Sequence, residues 1–182
     1  MKPIHRRQFI GTTAASVLAL SASGIQAAEA AEGKPTLKLG LIGCGWYGMV
    51  DVKAAFKVGG VEVVAICDVD SERLAQAASE IAKLQGKPPQ TYKLHEDLLK
   101  HPDLQAVIIA TPPQWHALPF IAALDRGLDV YCEKPLAYDI REGRAMVEAA
   151  KKSDRVVQIG FQRRNAASIA QAHDYIQSGK AG

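Results

Sequence analysis

A glycine-rich turn, Gly43–Gly48, carries the clearest chemical meaning in this sequence of 182 residues. Its pattern, G-x-G-x-x-G, directly follows the apolar run Leu37–Ile42 and precedes a helical pattern. In that setting the first glycine permits a tight turn, the second lets the backbone approach a pyrophosphate, and the third lets helix and strand pack closely. The N–H groups that begin the helix then point at the phosphates; the alternative is a plain glycine turn. The residues predicted to bind a dinucleotide here are Gly43, Gly45, Trp46, Tyr47 and Gly48.

An acidic residue, Asp68, follows the second apolar run, Val61–Cys67, and stands twenty positions after Gly48. At that distance a carboxylate accepts hydrogen bonds from the ribose hydroxyls of the dinucleotide and repels the additional phosphate of NADP. We therefore predict that the cofactor is NAD in preference to NADP, with Arg73 as a residue that would soften this rejection. The alternative is a solvent-facing aspartate in a turn.

Two later strand ends place further polar side chains at the same edge of a parallel sheet, where ligands bind. Thr111 and Pro112 follow the fourth apolar run, and His116 starts the next helical pattern. We predict that these three residues contact the cofactor, with His116 beside the nicotinamide; the alternative for His116 is a surface or capping role. Glu133 and Lys134 follow the fifth apolar run. At such a place Lys134 could donate a hydrogen bond to a substrate oxygen and Glu133 could orient it, with both residues in contact with the cofactor, although Glu-Lys-Pro is also typical of a surface turn.

The elements that position these side chains alternate between strand and helix from residue 37 onward. Several apolar runs are nearly continuous, which is typical of strands covered on both faces. The sequence therefore predicts an α/β fold, a Rossmann-type doubly wound parallel sheet over residues 36–178, with Ser71 as a helix N-cap. The predicted strands are Leu37–Ile42, Val61–Cys67, Thr91–Lys93, Ala106–Ala110, Val130–Cys132 and Val156–Ile159. The predicted helices are Tyr47–Lys57, Ser71–Leu84, Glu96–Lys100, His116–Asp125, Ile140–Lys152 and Ala166–Gln177.

Five segments follow successive strands in an order that resembles the N-terminal half of the Gfo/Idh/MocA family. These segments are Gly43–Gly48, Asp68, Ala110–Pro112 with His116, Glu133–Pro135 and Gly160–Arg164. The resemblance implies a nicotinamide cofactor on the glycine turn, Lys134 as a catalytic residue beside the nicotinamide, and Arg163 or Arg164 near cofactor or substrate. It also implies that residues 179–182 begin a linker to a C-terminal substrate domain expected to be missing here, and that the full-length protein forms a homo-oligomer.

The first 30 residues are predicted to be a signal peptide of the twin-arginine type. Basic residues precede a short apolar stretch, Ala14–Leu20, and small residues that resemble a cleavage site follow it. Arg6 and Arg7, followed by Gln-Phe-Ile, resemble the twin-arginine pattern, although His5 stands where Ser or Thr is usual. We therefore predict export to the periplasm or another extracytoplasmic space, without a stable membrane span.

Charge and cysteine content argue against several other classes of protein. The chain has a formal net charge of +3, and removal of the predicted signal leaves 19 basic and 18 acidic side chains, so nothing indicates a nucleic-acid surface. The three cysteines are an odd number, which argues against a disulfide framework, and we predict that they are small buried residues near strand ends. No C-x-x-C or paired histidines indicate a metal site. These cysteines are Cys44, Cys67 and Cys132.

The predicted function is that of an N-terminal part of an NAD(P)-dependent oxidoreductase. It would transfer a hydride between the nicotinamide and a small-molecule substrate, a sugar, polyol or related alcohol. One alternative is a redox-neutral, NAD-dependent glycoside hydrolase, in which the hydride returns within one turnover. The other is a nucleotide-binding fragment without catalytic activity.

Overall fold

The fold is an open, six-stranded sheet with helices on both faces, as seen in a computed structural model that describes residues 36–181. The strands are β1 (Leu37–Ile42), β2 (Val61–Cys67), β3 (Gln90–Tyr92), β4 (Ala106–Ile109), β5 (Asp129–Glu133) and β6 (Val157–Gly160). The helices are α1 (Trp46–Val58), α2 (Ser71–Gln85), α3 (His95–Leu98), α4 (Ala117–Asp125), α5 (Ile140–Lys152) and α6 (Ala167–Gln177). The predicted signal peptide, residues 1–30, lies outside the described range, and within that range no helix is both long and apolar enough to cross a bilayer.

The strand order in the sheet is β3-β2-β1-β4-β5-β6, and every neighbouring pair is parallel. The chain leaves β1 toward one edge through β2 and β3, and then toward the other edge through β4, β5 and β6. This reversal opens a crevice beyond the carboxyl ends of β1 and β4, where open α/β sheets bind ligands. The prediction of a Rossmann-type doubly wound sheet is confirmed.

Apolar side chains fill both faces of the sheet. Leu41 and Ile81 belong to the core beneath α1 and α2, whereas Ile109 and Phe120 belong to the core beneath α4 and α5. All four are at most 1% exposed. Because burying a side chain of this size contributes about 1.5–3 kcal/mol, the two cores hold the strands and the loops that leave them in a defined arrangement.

The strand register brings the predicted site residues to one edge. Ile42 at the end of β1 is paired with Cys67 of β2 and with Ile109 of β4. The residues that follow these three therefore leave the sheet at the same level: Gly43, Asp68 and Ala110.

Most predicted strand and helix bounds differ from the structure by only one or two residues, and two of the local differences have a clear cause. The N-cap of α2 is Asp70 and not Ser71, because the extended backbone of Asp70 lets its Oδ1 accept from the N–H groups of Glu72 (2.9 Å) and Arg73 (3.2 Å). The helix predicted to begin at His116 begins one residue later, at Ala117, because a 3₁₀ turn, Pro113–Trp115, precedes it and His116 lies between the turn and α4.

Candidate functional site

The glycine turn brings the start of α1 against the ends of β1 and β4. Gly43 has a φ of +95°, a left-handed conformation that favours glycine, and a Cβ there would lie 2.7 Å from the carbonyl carbon of Ala110. A Cβ on Gly48 would lie 2.2 Å from the oxygen of Gly43, so only glycine lets α1 begin this close to the turn. Gly45 is the N-cap of α1, and no side chain of the described residues caps the helix there. The first N–H groups of α1 are therefore left without intrahelical partners beside the crevice.

Both oxygens of Asp68 are held by backbone N–H groups. The N–H of Cys44 donates to Oδ2 over 2.7 Å, and the N–H of Asp70 donates to Oδ1 over 2.9 Å. The carboxylate thus joins the turn after β2 to the glycine turn, and each of its oxygens keeps a lone pair free. Asp68 is half-buried and lines the crevice. This fixed acceptor supports the ribose contact predicted for it.

The crevice is a cavity of about 880 Å³. Its walls bring together the glycine turn, Asp68, Thr111 and Pro112, which come from the ends of three different strands. Two exposed aromatic side chains also line it, Trp46 and Trp115. Backbone donors, a fixed carboxylate and flat apolar surfaces are the chemical features that a dinucleotide needs.

Two cationic side chains line this crevice, Arg73 and Lys93. Arg73 lines the cavity, and its Nε lies 3.3 Å from Oδ2 of Asp70, in an exposed ion pair. Its Nη1 would be 3.3 Å from a Cβ on Gly45. Arg73 therefore lies beside the glycine turn, and its softening of the rejection of NADP stays a prediction.

Lys134 lines a second cavity of about 510 Å³. Tyr47 lines both cavities, and the Nζ of Lys134 lies 5.9 Å from the centre of its ring. The turn after β6 contributes the remaining wall, including Arg163 and Arg164. Lys134 itself is exposed. The structure thus brings Lys134 and both arginines to a pocket that adjoins the crevice through Tyr47.

Glu133 is a buried carboxylate with three donors. The Tyr131 hydroxyl donates to its Oε1 over 3.1 Å, the amide nitrogen of Gln162 donates to the same oxygen, and the Lys134 N–H donates to Oε2 over 3.2 Å. The residue is 5% exposed. A Cβ on Gly160, its partner in β6, would lie 2.4 Å from Oε1, so glycine leaves room for these hydrogen bonds. Glu133 therefore fixes the backbone of Lys134 and does not line either cavity.

A second carboxylate, Asp51 of α1, interacts with this cluster. Its Oδ2 is buried and has no hydrogen-bond partner among residues 36–181. Burial, and then the charge of Glu133, raise the pKa of Asp51 to about 7. Burial, and then the charges of Asp51 and Glu133, raise the pKa of Tyr131 well above its usual value. Burial and the neighbouring Glu133 therefore favour the protonated form of Asp51.

His116 lies behind the crevice and not in its wall. Only 1% of the residue is exposed, and its ring contacts the carbonyl oxygens of Thr111 and Pro135. Its side chain makes no capping hydrogen bond to α4. His116 is therefore neither a surface residue nor a side-chain cap, so both alternatives from the sequence were wrong. The ring is enclosed between two loops, and this burial gives no support to the predicted contact with the cofactor.

The three cysteines are buried and unpaired among themselves, as predicted from their positions near strand ends. Burial, and then the nearby charge of Asp68, raise the pKa of Cys44 above its usual value and that of Cys67 to about 12. Burial and Glu133 raise the pKa of Cys132 to about 12. Thiols in this state are poor nucleophiles. In the described part of the chain, no three His, Cys, Asp or Glu side chains gather as metal ligands would.

The sequence predictions gave no role to three residues of the site. Tyr131 lies two residues before Glu133 on the same strand face, and this period of two was a signal for it. Gln162 is 29 residues from Glu133 and meets it only because β5 and β6 are neighbours. Asp51 sits in the middle of a helix, where an acidic residue is ordinarily solvent-exposed.

Comparisons with known proteins identify the same kind of nucleotide-binding fold in this chain. A model of the GFO_IDH_MocA oxidoreductase family, described as an NAD-binding Rossmann fold, matches residues 37–161. Inositol 2-dehydrogenase of Salmonella typhimurium is 39% identical over 149 residues, which are 81% of this chain and 43% of that protein. A glycosyl hydrolase family 109 protein of Shewanella pealeana is 31% identical over 174 residues, covering 84% of this chain and 38% of that protein.

The solved structures include myo-inositol dehydrogenase from Lactobacillus casei in complex with NAD(H) and myo-inositol. It matches with a TM-score of 0.71 at 28% identity, and the match covers 79% of this chain and 42% of that one. This chain thus spans less than half the length of the curated relatives it matches.

Proposed function

We propose an activity for this chain from one premise: it belongs to the Gfo/Idh/MocA family of oxidoreductases, which has an NAD-binding Rossmann fold. The proposed function is that of the cofactor-binding part of an NAD-dependent oxidoreductase that acts on a sugar, polyol or related alcohol. One observation carries it: Tyr47 lines both the crevice at the ends of β1, β2 and β4 and the pocket that Lys134 lines.

The residues of the crevice fit NAD. The glycine turn and the uncapped start of α1 offer N–H groups to the pyrophosphate. Asp68, held by the N–H groups of Cys44 and Asp70, has free lone pairs for the two adenosine ribose hydroxyls. The same carboxylate disfavours the 2′-phosphate of NADP, and the ion pair between Arg73 and Asp70 partly neutralises the arginine that would otherwise attract it. When bound, NAD supplies the hydride acceptor or donor.

Lys134 is the proposed catalytic residue. Its ammonium donates a hydrogen bond to the substrate oxygen on the carbon that gains or loses hydride, and so stabilises negative charge that develops there. Glu133 holds the N–H of Lys134 from inside the fold. Arg163 and Arg164 line the same pocket and are proposed to contact substrate or cofactor.

Cofactor binding can be tested with the 182-residue chain. We expect NAD to bind more tightly than NADP in calorimetric titrations. Asp68→Ala removes charged hydrogen bonds to the ribose and is expected to weaken NAD binding by about 10- to 100-fold. Asp125→Ala is the matched control, because Asp125 is an exposed aspartate at the end of α4 that does not line the crevice, and it should leave NAD affinity unchanged. Absence of NAD binding, or equal affinity for NADP, would contradict the proposal.

A second candidate function is a redox-neutral, NAD-dependent glycoside hydrolase. The similarity to the family 109 protein over 84% of this chain favours it. Incubation of the chain with myo-inositol and NAD, and separately with an aryl glycoside without added NAD, distinguishes the two. Net formation of NADH supports the oxidoreductase, whereas aryl release without net NADH supports the hydrolase. A chain that binds NAD and does neither supports the non-catalytic alternative.

We also propose that the protein is exported with its cofactor and forms a homo-oligomer. The proposed signal lies in residues 1–30, and export of a folded protein suits a cofactor that is held tightly. Cell fractionation of the wild type and of a variant with Arg6→Lys and Arg7→Lys tests export. Wild type found outside the cytoplasm and the variant retained inside support it, and identical distributions contradict it. Light scattering of the purified protein tests the oligomer.

A further inference from the structure

His116 is a buried ring whose two nitrogens both contact carbonyl oxygens. Its Nε2 lies 2.8 Å from the oxygen of Thr111, and its Nδ1 lies 2.8 Å from the oxygen of Pro135. A carbonyl oxygen accepts hydrogen bonds and cannot donate them. A neutral imidazole has one N–H and one acceptor nitrogen, so it would leave a lone pair facing one of the two oxygens. Only the imidazolium form, with a proton on each nitrogen, satisfies both contacts.

The two carbonyl oxygens belong to loops that follow neighbouring strands. Thr111 follows β4 and lines the large crevice, whereas Pro135 follows β5 and is bonded directly to Lys134. We propose that His116 is a positioning residue that donates from both ring nitrogens to these two loops and thereby holds Lys134 in the pocket beside the crevice. The role toward Lys134 rests on the proposed function, whereas the two-donor state of the ring does not.

The contacts around His116 make this arrangement rigid. A buried charge without partners is costly, and two charge-assisted hydrogen bonds, each roughly twice as strong as a neutral one, offset part of that cost. The Thr111 loop is closed by its own hydroxyl, which donates to the carbonyl oxygen of Trp115 over 3.1 Å. On the other side, Glu133 binds the N–H of Lys134. The backbone of Lys134 is thus held before the residue by Glu133 and after it by His116.

The first test uses the wild-type chain. Nitrogen-15 NMR of the histidine rings near neutral pH distinguishes an imidazolium from either neutral tautomer. We expect both His116 nitrogens to carry protons, and both ring protons to exchange slowly because the ring is enclosed. One unprotonated His116 nitrogen would overturn the two-donor state. We also expect added NAD to slow the exchange of both ring protons further, and unchanged exchange in the NAD-bound chain would contradict the coupling to the crevice.

The second test uses His116→Gln. Glutamine presents a donor at one end of its amide and an acceptor at the other, so one of the two carbonyl oxygens loses its partner. We expect NAD binding to weaken by about tenfold, and the NMR signals of Lys134 and Thr111 to shift while those of β2 and β3 stay in place. His173→Gln is the matched control, because the His173 side chain on α6 is 68% exposed. It should change neither measurement.

The possible failures are distinguishable. A folded His116→Gln variant with wild-type NAD affinity and unchanged Lys134 signals overturns the positioning role. If that variant does not fold, the exchange measurement on the wild type decides the coupling. If the wild type binds no NAD, the proposed function fails, and the nitrogen-15 measurement still decides whether the ring donates to both loops.

Discussion

Replacing Gly48 with alanine tests the geometry that places α1 against the glycine turn. The added Cβ would lie 2.2 Å from the Gly43 oxygen, 3.2 Å from Cδ1 of Leu41 and 3.3 Å from Cβ of Ala110, whereas real Cβ atoms essentially never come within 3.0 Å of such neighbours. The nearest atom belongs to the backbone, so no side-chain rotation relieves the contact and α1 must move by roughly 1 Å. Overpacking of this kind costs about 3 kcal/mol at the upper end of its usual range, and the helix propensity of alanine returns about 1 kcal/mol.

We therefore expect Gly48→Ala to lower the free energy of unfolding by roughly 2 kcal/mol and Tm by about 4–8 °C. The assay is thermal and urea unfolding of the 182-residue chain, followed by circular dichroism. Gly143→Ala in α5 is the matched control. Its Cβ would meet only Cβ of Ala137 at 3.7 Å and Cδ2 of Leu136 at 4.0 Å, so this change should stabilise the chain by about 0.5–1 kcal/mol. A Gly48→Ala variant as stable as the wild type would refute the reasoning, as would equal destabilisation by both changes.

Three further predictions concern the buried polar groups and the thiols. Because the folded state raises the pKa of Asp51 to about 7, wild-type stability should fall as the pH rises from the usual carboxyl range through about 7. Asp51→Asn should lack this fall, and above that pH its free energy of unfolding should exceed that of the wild type by roughly 1–2 kcal/mol, after discounting for partial solvent exposure. The measurement is urea unfolding over a range of pH, and the same pH dependence of the unfolding free energy in both proteins would contradict this prediction. Gln162→Ala leaves buried Glu133 with one donor fewer and should lower the free energy of unfolding by about 1–3 kcal/mol. The control is Gln158→Ala on the exposed side of β6, which should change that free energy by no more than about 0.5 kcal/mol. Equal unfolding midpoints for the two variants would contradict a stabilising role of the Gln162–Glu133 hydrogen bond. The three buried cysteines, with their raised pKa values, should resist a thiol reagent in the native chain and react on unfolding; rapid labelling of any of them in the native chain would disprove this.

Residue spacing alone was sufficient to predict the glycine turn and the order of strands and helices. The alternatives that spacing left open concern single residues with two plausible roles. Asp70 and Ser71 are both good N-cap residues, and only the backbone conformation selects Asp70. His116 could equally have faced the crevice, capped a helix or lain on the surface, and the structure places it in a fourth environment, enclosed between two loops.

The sequence by itself determined those properties that depend only on residues close together along the chain. Continuous apolar runs, the helical period, and the freedom of glycine at Gly43 and Gly48 are local, so they identify a Rossmann-type sheet and the turn beside which a cofactor binds. The tertiary structure alone decided which distant polar groups meet. Gln162 reaches Glu133 across 29 residues because β5 and β6 pair in parallel, and the His116 ring joins two loops because β4 and β5 end side by side. Hydrogen bonds and charge interactions depend on distance in space, and the spacing of residues along a chain does not contain that distance.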